Sequence, residues 1–85
     1  MKAAVIGAGV MGPGIAQVFL EGGFDAVLMD ISEEQLKKGV NMIELVLAQK
    51  YEKKILPEKP EFYLKNLKTS TDMKEAVSDA DVVIE

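Results

Sequence analysis

The segment that decides the fold is residues 5–15, VIGAGVMGPGI, where four glycines and one proline interrupt an apolar run from Ala3 to Leu20. Within residues 3–20 only Gln17 has a polar side chain, so a membrane helix or a secretion signal is the first alternative. Glycine costs about 1 kcal/mol and proline about 3 kcal/mol in a helix interior. Because these residues crowd the centre of the run, we favour a backbone loop and predict no membrane segment.

Composition excludes several classes of function. The 85 residues are enough for one small domain, with a net charge of −4 and no arginine, histidine or cysteine. An acidic chain without arginine lacks the basic face that nucleic acids require, so we predict no nucleic-acid partner. Without cysteine there are no disulfides or zinc–thiolate sites, which fits a reducing compartment, and we predict a cytoplasmic location. Without histidine, proton transfer by this chain alone would need a carboxylate, lysine or tyrosine.

The glycine spacing matches G-x-G-x-x-G at a bend between a strand and a helix. Lys2 to Ile6 is a short apolar run suited to a buried parallel strand. Gly7 permits the tight turn, Gly9 leaves space for a pyrophosphate, and Gly12 lets the helix pack closely. Pro13 is compatible with a first helical turn, whose amides favour phosphate. The helix then has an apolar stripe of Ile15, Ala16, Val18 and Phe19. A P-loop is excluded because it needs Lys and Ser/Thr directly after its second glycine.

An acidic residue completes this pattern. Phe24 to Met29 reads as a second strand and ends at Asp30, 18 residues after Gly12. This is close to the spacing of the carboxylate that binds the adenosine ribose; the alternative role for Asp30 is a turn or capping carboxylate. A carboxylate there repels a 2′-phosphate, which favours NAD over NADP as the cofactor. The candidate cofactor-binding residues are Gly7, Ala8, Gly9, Val10, Met11, Gly12 and Asp30.

A long amphipathic helix follows. Ser32 and Gln35 form a capping box, and the helix is predicted from about Glu33 to about Lys54. Its apolar stripe consists of Leu36, Val40, Ile43, Leu47 and Tyr51. Lysines collect near its end, where they either complement the helix dipole or form a cationic patch for an anionic substrate; they are Lys50, Lys53 and Lys54.

The remaining elements predict an α/β fold. A short helix with Phe62 and Leu64 as packing residues precedes a strand at Leu67–Ser70, a helix at Met73–Val77 and a strand from Val82. Strands that alternate with helices indicate a doubly wound parallel sheet. Only the first part of such a domain fits in this length. We therefore expect residues 1–85 to be the N-terminal part of a longer protein, with a helical excursion at about 33–66.

Two segments, VIGAGVMGPGIAQVFLEGGFDAVLMDIS and TSTDMKEAVSDADVVIE, resemble the Rossmann-type NAD-binding domain of the 3-hydroxyacyl-CoA dehydrogenases. The resemblance covers essentially the whole chain. It implies that Gly7 to Gly12 hold the pyrophosphate of NAD and that Asp30 holds the adenosine ribose. It also implies a coenzyme A contact for Lys53. A serine that assists coenzyme A binding in the family is replaced here by Val46.

The same resemblance implies an activity for the parent protein, the oxidation of (S)-3-hydroxyacyl-CoA to 3-oxoacyl-CoA in fatty-acid metabolism. The family's catalytic His–Glu pair, serine and asparagine have no counterpart in these residues, and neither has the C-terminal domain that binds substrate and dimerises. We therefore expect this chain alone to be inactive and the parent to be a homodimer acting on acyl-CoA. The alternatives are another β-hydroxyacid dehydrogenase and a non-catalytic dinucleotide-binding or structural relative.

Overall fold

Strands and helices alternate along the chain in the computed structural model, which describes residues 1–9 and 11–85. The strands are β1 (Lys2–Ile6), β2 (Asp25–Met29), β3 (Leu67–Ser70) and β4 (Val82–Ile84). The helices are α1 (Gly12–Glu21), α2 (Glu33–Glu52), α3 (Pro60–Leu64) and α4 (Met73–Val77). These bounds lie within about two residues of the predicted ones. Within the described ranges, no helix combines the length and apolar character that crossing a membrane requires.

The strands form one parallel sheet in the order β3-β2-β1-β4. Lys2 pairs with Asp25 and Ile6 with Met29, so β1 and β2 end at the same level of the sheet. The strand order reverses at β1, since β2 and β3 lie on one side of it and β4 on the other. In open α/β sheets ligands bind outside the carboxyl ends of the strands at such a reversal. The predicted Rossmann-type, doubly wound fold is confirmed.

Helices cover both faces of the sheet. Alternation along β2 directs Ala26 and Leu28 to one face and Val27 and Met29 to the other. The first face holds the larger core, which α1, α2 and α3 complete with Ala16, Leu20, Leu36, Ile43, Leu47 and Tyr63. On the second face, Val27 and Met29 pack with Ala76 of α4. This two-sided layering positions the loop after β1 at the open, carboxyl end of the sheet.

Three side chains predicted to pack are exposed. Val18 is 67% exposed because the buried side of α1 is formed by Ala16, Gln17 and Leu20. Tyr51 is 38% exposed in the last turn of α2. The short helix α3 buries Tyr63, whereas Phe62 is 47% exposed. The Phe62 ring packs edge-on against Tyr63, with centroids 5.3 Å apart, and Lys65 Nζ lies 4.4 Å from its centroid.

Candidate functional site

The loop between β1 and α1 begins with a sharp turn at Gly7. This residue has a φ of +102°, a backbone conformation that residues with side chains rarely adopt. Its N–H donates to the carbonyl oxygen of Met29 at 2.6 Å. The start of the loop is therefore tied to the end of the neighbouring strand, at the carboxyl edge of the sheet.

Gly12 allows the loop and the start of α1 to approach each other. A Cβ added at this position would overlap the carbonyl oxygen of Gly7 and lie 2.9 Å from its carbonyl carbon. The sequence predicted close packing of α1 on the strand, and the structure shows that the tightest approach is to the loop itself. Because the opposing atoms belong to the backbone, they cannot move aside as a side chain would.

The middle of the loop faces open space. Gly9 is exposed, and a Cβ added there would find no atom within 4 Å. Met11 is the N-cap of α1, with a side chain that is 73% exposed and makes no capping hydrogen bond. Val10 lies outside the described residues. The first-turn amides of a helix point out of its N-terminus and attract anions, so this part of the loop has room for a phosphate group beside an anion-attracting helix end.

Asp30 lies directly against this loop. Its Oδ2 accepts a hydrogen bond from the amide of Ala8 at 2.9 Å, and its Oδ1 accepts one from the amide of Ser32 at 2.9 Å. These bonds, the one from Ala8 first, hold the pKa of the Asp30 carboxyl below its ordinary value against the opposing effect of burial. An ionised carboxylate has about four lone-pair sites, so Asp30 retains acceptor capacity for hydroxyl groups of a ligand.

The N-terminus of α2 differs from the predicted capping box in one respect. Ser32 Oγ accepts from the amide of Gln35 at 3.2 Å, as predicted. The amide of Ser32, however, donates to Asp30 rather than to the side chain of Gln35. The reason is local, because a carboxylate two residues upstream forms an Asx-type turn with this amide. The Asp-x-Ser spacing was therefore a readable signal that Asp30 also orders the start of α2.

The three lysines near the end of α2 have different environments. Lys50 Nζ binds both carboxylate oxygens of Glu21, at 2.9 and 3.2 Å, and thereby joins α2 to α1. Lys53 is exposed at the C-cap, and Lys54 follows in the left-handed region with a φ of +62°. At 1.5 Å per residue, the 20 residues of α2 span about 30 Å. Lys53 therefore lies far from the glycine loop and does not belong to the same cluster.

The comparisons with known proteins agree with this architecture. The family model described as "3-hydroxyacyl-CoA dehydrogenase, NAD binding domain" matches residues 2–85. The chain belongs to this family. Its fit to NAD is visible in the structure, which pairs an open glycine loop with a carboxylate at the end of β2. The resemblance noted in the sequence is thus confirmed, as is NAD as the cofactor of the family.

Individual relatives show the same match over the N-terminal part of longer proteins. A probable 3-hydroxybutyryl-CoA dehydrogenase of Deinococcus radiodurans is 44% identical over 85 residues, which are 100% of this chain and 30% of that protein. The 3-hydroxybutyryl-CoA dehydrogenase of Bradyrhizobium diazoefficiens is 39% identical, over 99% of this chain and 29% of the relative. The crystal structure of 3-hydroxybutyryl-CoA dehydrogenase from Escherichia coli K12 has a TM-score of 0.88 and 38% identity, over 98% of this chain and 18% of that one.

Proposed function

We propose that this NAD-binding domain holds its cofactor with one contiguous loop and one carboxylate. The residues are Gly7, Ala8, Gly9, Met11, Gly12 and Asp30, together with Val10 on the basis of sequence alone. The observation that carries the proposal is the 2.9 Å hydrogen bond between Asp30 Oδ2 and the Ala8 amide. This bond brings the proposed ribose-binding carboxylate and the proposed pyrophosphate-binding backbone into direct contact.

Each part has a distinct role. The backbone of the loop accommodates the pyrophosphate, because Gly9 presents no side chain and the space in front of it is open. The N-terminus of α1 adds the positive end of a helix dipole. The Asp30 carboxylate accepts hydrogen bonds from the ribose hydroxyls and repels a 2′-phosphate, which selects NAD over NADP. Bound NAD supplies a hydride acceptor, and these residues position it.

For the native protein, meaning the whole polypeptide that contains this chain, we propose NAD-dependent oxidation of (S)-3-hydroxyacyl-CoA to 3-oxoacyl-CoA in the cytoplasm. The names of the relatives support the substrate class. The chain spans 30% or less of the length of these relatives. We therefore assign residues 1–85, with the helical excursion at about 33–66, to the N-terminal part of a cofactor domain. Acid–base chemistry, completion of the acyl-CoA pocket and homodimer formation are assigned to the remainder.

Isothermal titration calorimetry of the native protein tests cofactor binding. We expect NAD to bind more tightly than NADP, and Gly9→Val to abolish NAD binding because its side chain fills the pyrophosphate space. Ala48→Val, an exposed change on α2, adds bulk away from the loop and should leave the affinity unchanged. Undetectable NAD binding by the native protein, or full binding by Gly9→Val, would overturn the proposal. NAD binding without dehydrogenase activity would instead favour the non-catalytic alternative.

We also propose a coenzyme A contact for Lys53. It is supported by the exposed position of this lysine at the end of α2, about 30 Å along the helix from the ribose-binding corner. Lys53→Ala should raise the KM for the acyl-CoA substrate and leave the KM for NAD unchanged. Lys74→Ala, which removes an exposed lysine from α4, is the matched control. An unchanged acyl-CoA KM for Lys53→Ala would refute this assignment.

A further inference from the structure

Gly39 is an unexplained glycine in the middle of α2. It is buried, and no positive φ accounts for its presence, since the positive-φ glycines of the described residues are Gly7 and Gly23. After proline, glycine is the least favourable residue in a helix interior. A glycine at this position therefore has a reason in the packing around it rather than in the conformation of its own backbone.

Three residues surround the space that a side chain at this position would occupy, and two of them lie closer to it than an ordinary contact. A Cβ on Gly39 would lie 3.1 Å from Leu28 Cδ2, 3.1 Å from Pro13 Cγ and 3.6 Å from Ala8 Cβ. The first two distances are shorter than ordinary carbon–carbon contacts of about 3.5–4.0 Å. Leu28 and Pro13 are fully buried, so neither can turn into solvent to relieve the contact.

All three neighbours belong to the glycine loop or adjoin one of its ends. Ala8 belongs to the loop and donates its amide to Asp30. Pro13 lies in the first turn of α1, immediately after Gly12. Leu28 precedes Met29, whose carbonyl oxygen accepts the hydrogen bond from Gly7. A methyl group on Gly39 would therefore require Leu28 and Pro13, which adjoin the two ends of the loop, to give way by a few tenths of an ångström.

We propose that Gly39 is a positioning residue for dinucleotide binding: the missing side chain lets α2 pack closely against the residues around the loop, and this packing fixes the position of the pyrophosphate-binding backbone. The inference rests on the proposed function, because it assumes that this loop binds the pyrophosphate. Gly39 itself touches no ligand. It acts through Leu28 and Pro13, which would have to shift to admit a side chain and which adjoin the two ends of the loop.

The test compares two probes in the native protein, ADP with a pyrophosphate and adenosine without one. Gly39→Ala should weaken ADP binding about tenfold, because small displacements of a binding group have large effects on its contacts. Adenosine affinity should change less than twofold, since Asp30 is also anchored by Ser32. Asn41→Ala, an exposed change on the same helix, is the control and should leave both affinities unchanged.

A second variant provides rescue. Leu28→Val removes Cδ2 and with it one of the two close contacts, so Gly39→Ala should weaken ADP binding less in the Leu28→Val background than in the native protein. Unchanged ADP affinity in Gly39→Ala, equal weakening of ADP and adenosine, or no rescue would each overturn the inference. Failure of Gly39→Ala to fold would also contradict it, since Gly39 would then serve general packing. If the unaltered protein binds neither ADP nor NAD, the proposed function fails first.

Discussion

The carboxylate of Asp30 accepts a hydrogen bond from the backbone amide of Ala8, with 2.9 Å between Oδ2 and the nitrogen. The two residues are 22 positions apart in the chain and belong to neighbouring strand ends. Through this bond, the residue proposed to select the cofactor also holds the loop proposed to bind its phosphates. A change at Asp30 therefore affects both loop conformation and ribose contact.

Removal of the Asp30 carboxylate should weaken NAD binding. Charge-assisted hydrogen bonds contribute about 1.5–3 kcal/mol each, so Asp30→Ala should raise the Kd for NAD by roughly tenfold or more. The preference for NAD over NADP should shrink because the repulsion of a 2′-phosphate is lost. Asp25→Ala removes an exposed carboxylate from the opposite end of β2 and should change neither Kd. Calorimetric titration that finds equal Kd values for native protein and Asp30→Ala would reject this role.

Asp30 should also titrate at an unusually low pH. The amides of Ala8 and Ser32 lower the pKa of its carboxyl in the folded protein, whereas an unperturbed aspartate has a pKa of about 3.9. A depressed folded-state pKa gives stability that is present above about pH 4 and is lost as the pH falls through the folded pKa. NMR titration of the Asp30 carboxyl carbon should therefore have a midpoint below the ordinary aspartate value of about 3.9. A midpoint at or above the ordinary value would contradict the prediction.

Two glycines of α1 should respond in opposite directions to alanine substitution. Gly12→Ala places a methyl group on the Gly7 carbonyl and should lower the free energy of unfolding by roughly 3 kcal/mol, the upper part of the range for overpacking. At Gly14 an added Cβ would meet no atom within 4 Å, so Gly14→Ala should raise the free energy of unfolding by up to about 1 kcal/mol through helix propensity. Urea unfolding of the native protein measures both. Similar effects of the two substitutions would disprove the steric explanation for Gly12.

The end of α2 offers a stabilising substitution. Lys54 has a φ of +62°, where glycine is preferred, and the amide of Ile55 bonds back to the Lys50 carbonyl at 2.8 Å, as in a Schellman motif. Lys54→Gly should therefore raise the free energy of unfolding by roughly 0.5–1 kcal/mol. Lys53 has an ordinary φ of −82°, so Lys53→Gly should instead lower the free energy of unfolding. Thermal unfolding compares the stabilities of the two variants with that of the native protein. A loss of stability in Lys54→Gly would contradict the prediction.

Much of the fold was predictable because its signals are local. Short apolar runs bounded by glycine and proline placed the strands, and the cap at Ser32 located the start of α2. Apart from the reciprocal bond of the capping box, the wrong predictions concern which side of a helix is buried rather than whether the helix forms. Val18 and Phe62 point away from the core, since the crossing of helices over the sheet decides which side of each helix is covered. A sequence period alone leaves that choice open in a short helix such as α3.

The sequence by itself determined the parallel α/β fold, the glycine loop and the carboxylate after β2, because backbone freedom, apolar periodicity and spacing act over a few residues. Only the tertiary structure decided which distant groups meet: Asp30 with the Ala8 amide, Lys50 with Glu21, and Gly39 with the back of the loop. These contacts depend on how strands align and how closely α2 lies on α1. Such distances follow from the packing of the whole core, so no single segment of the sequence determines them.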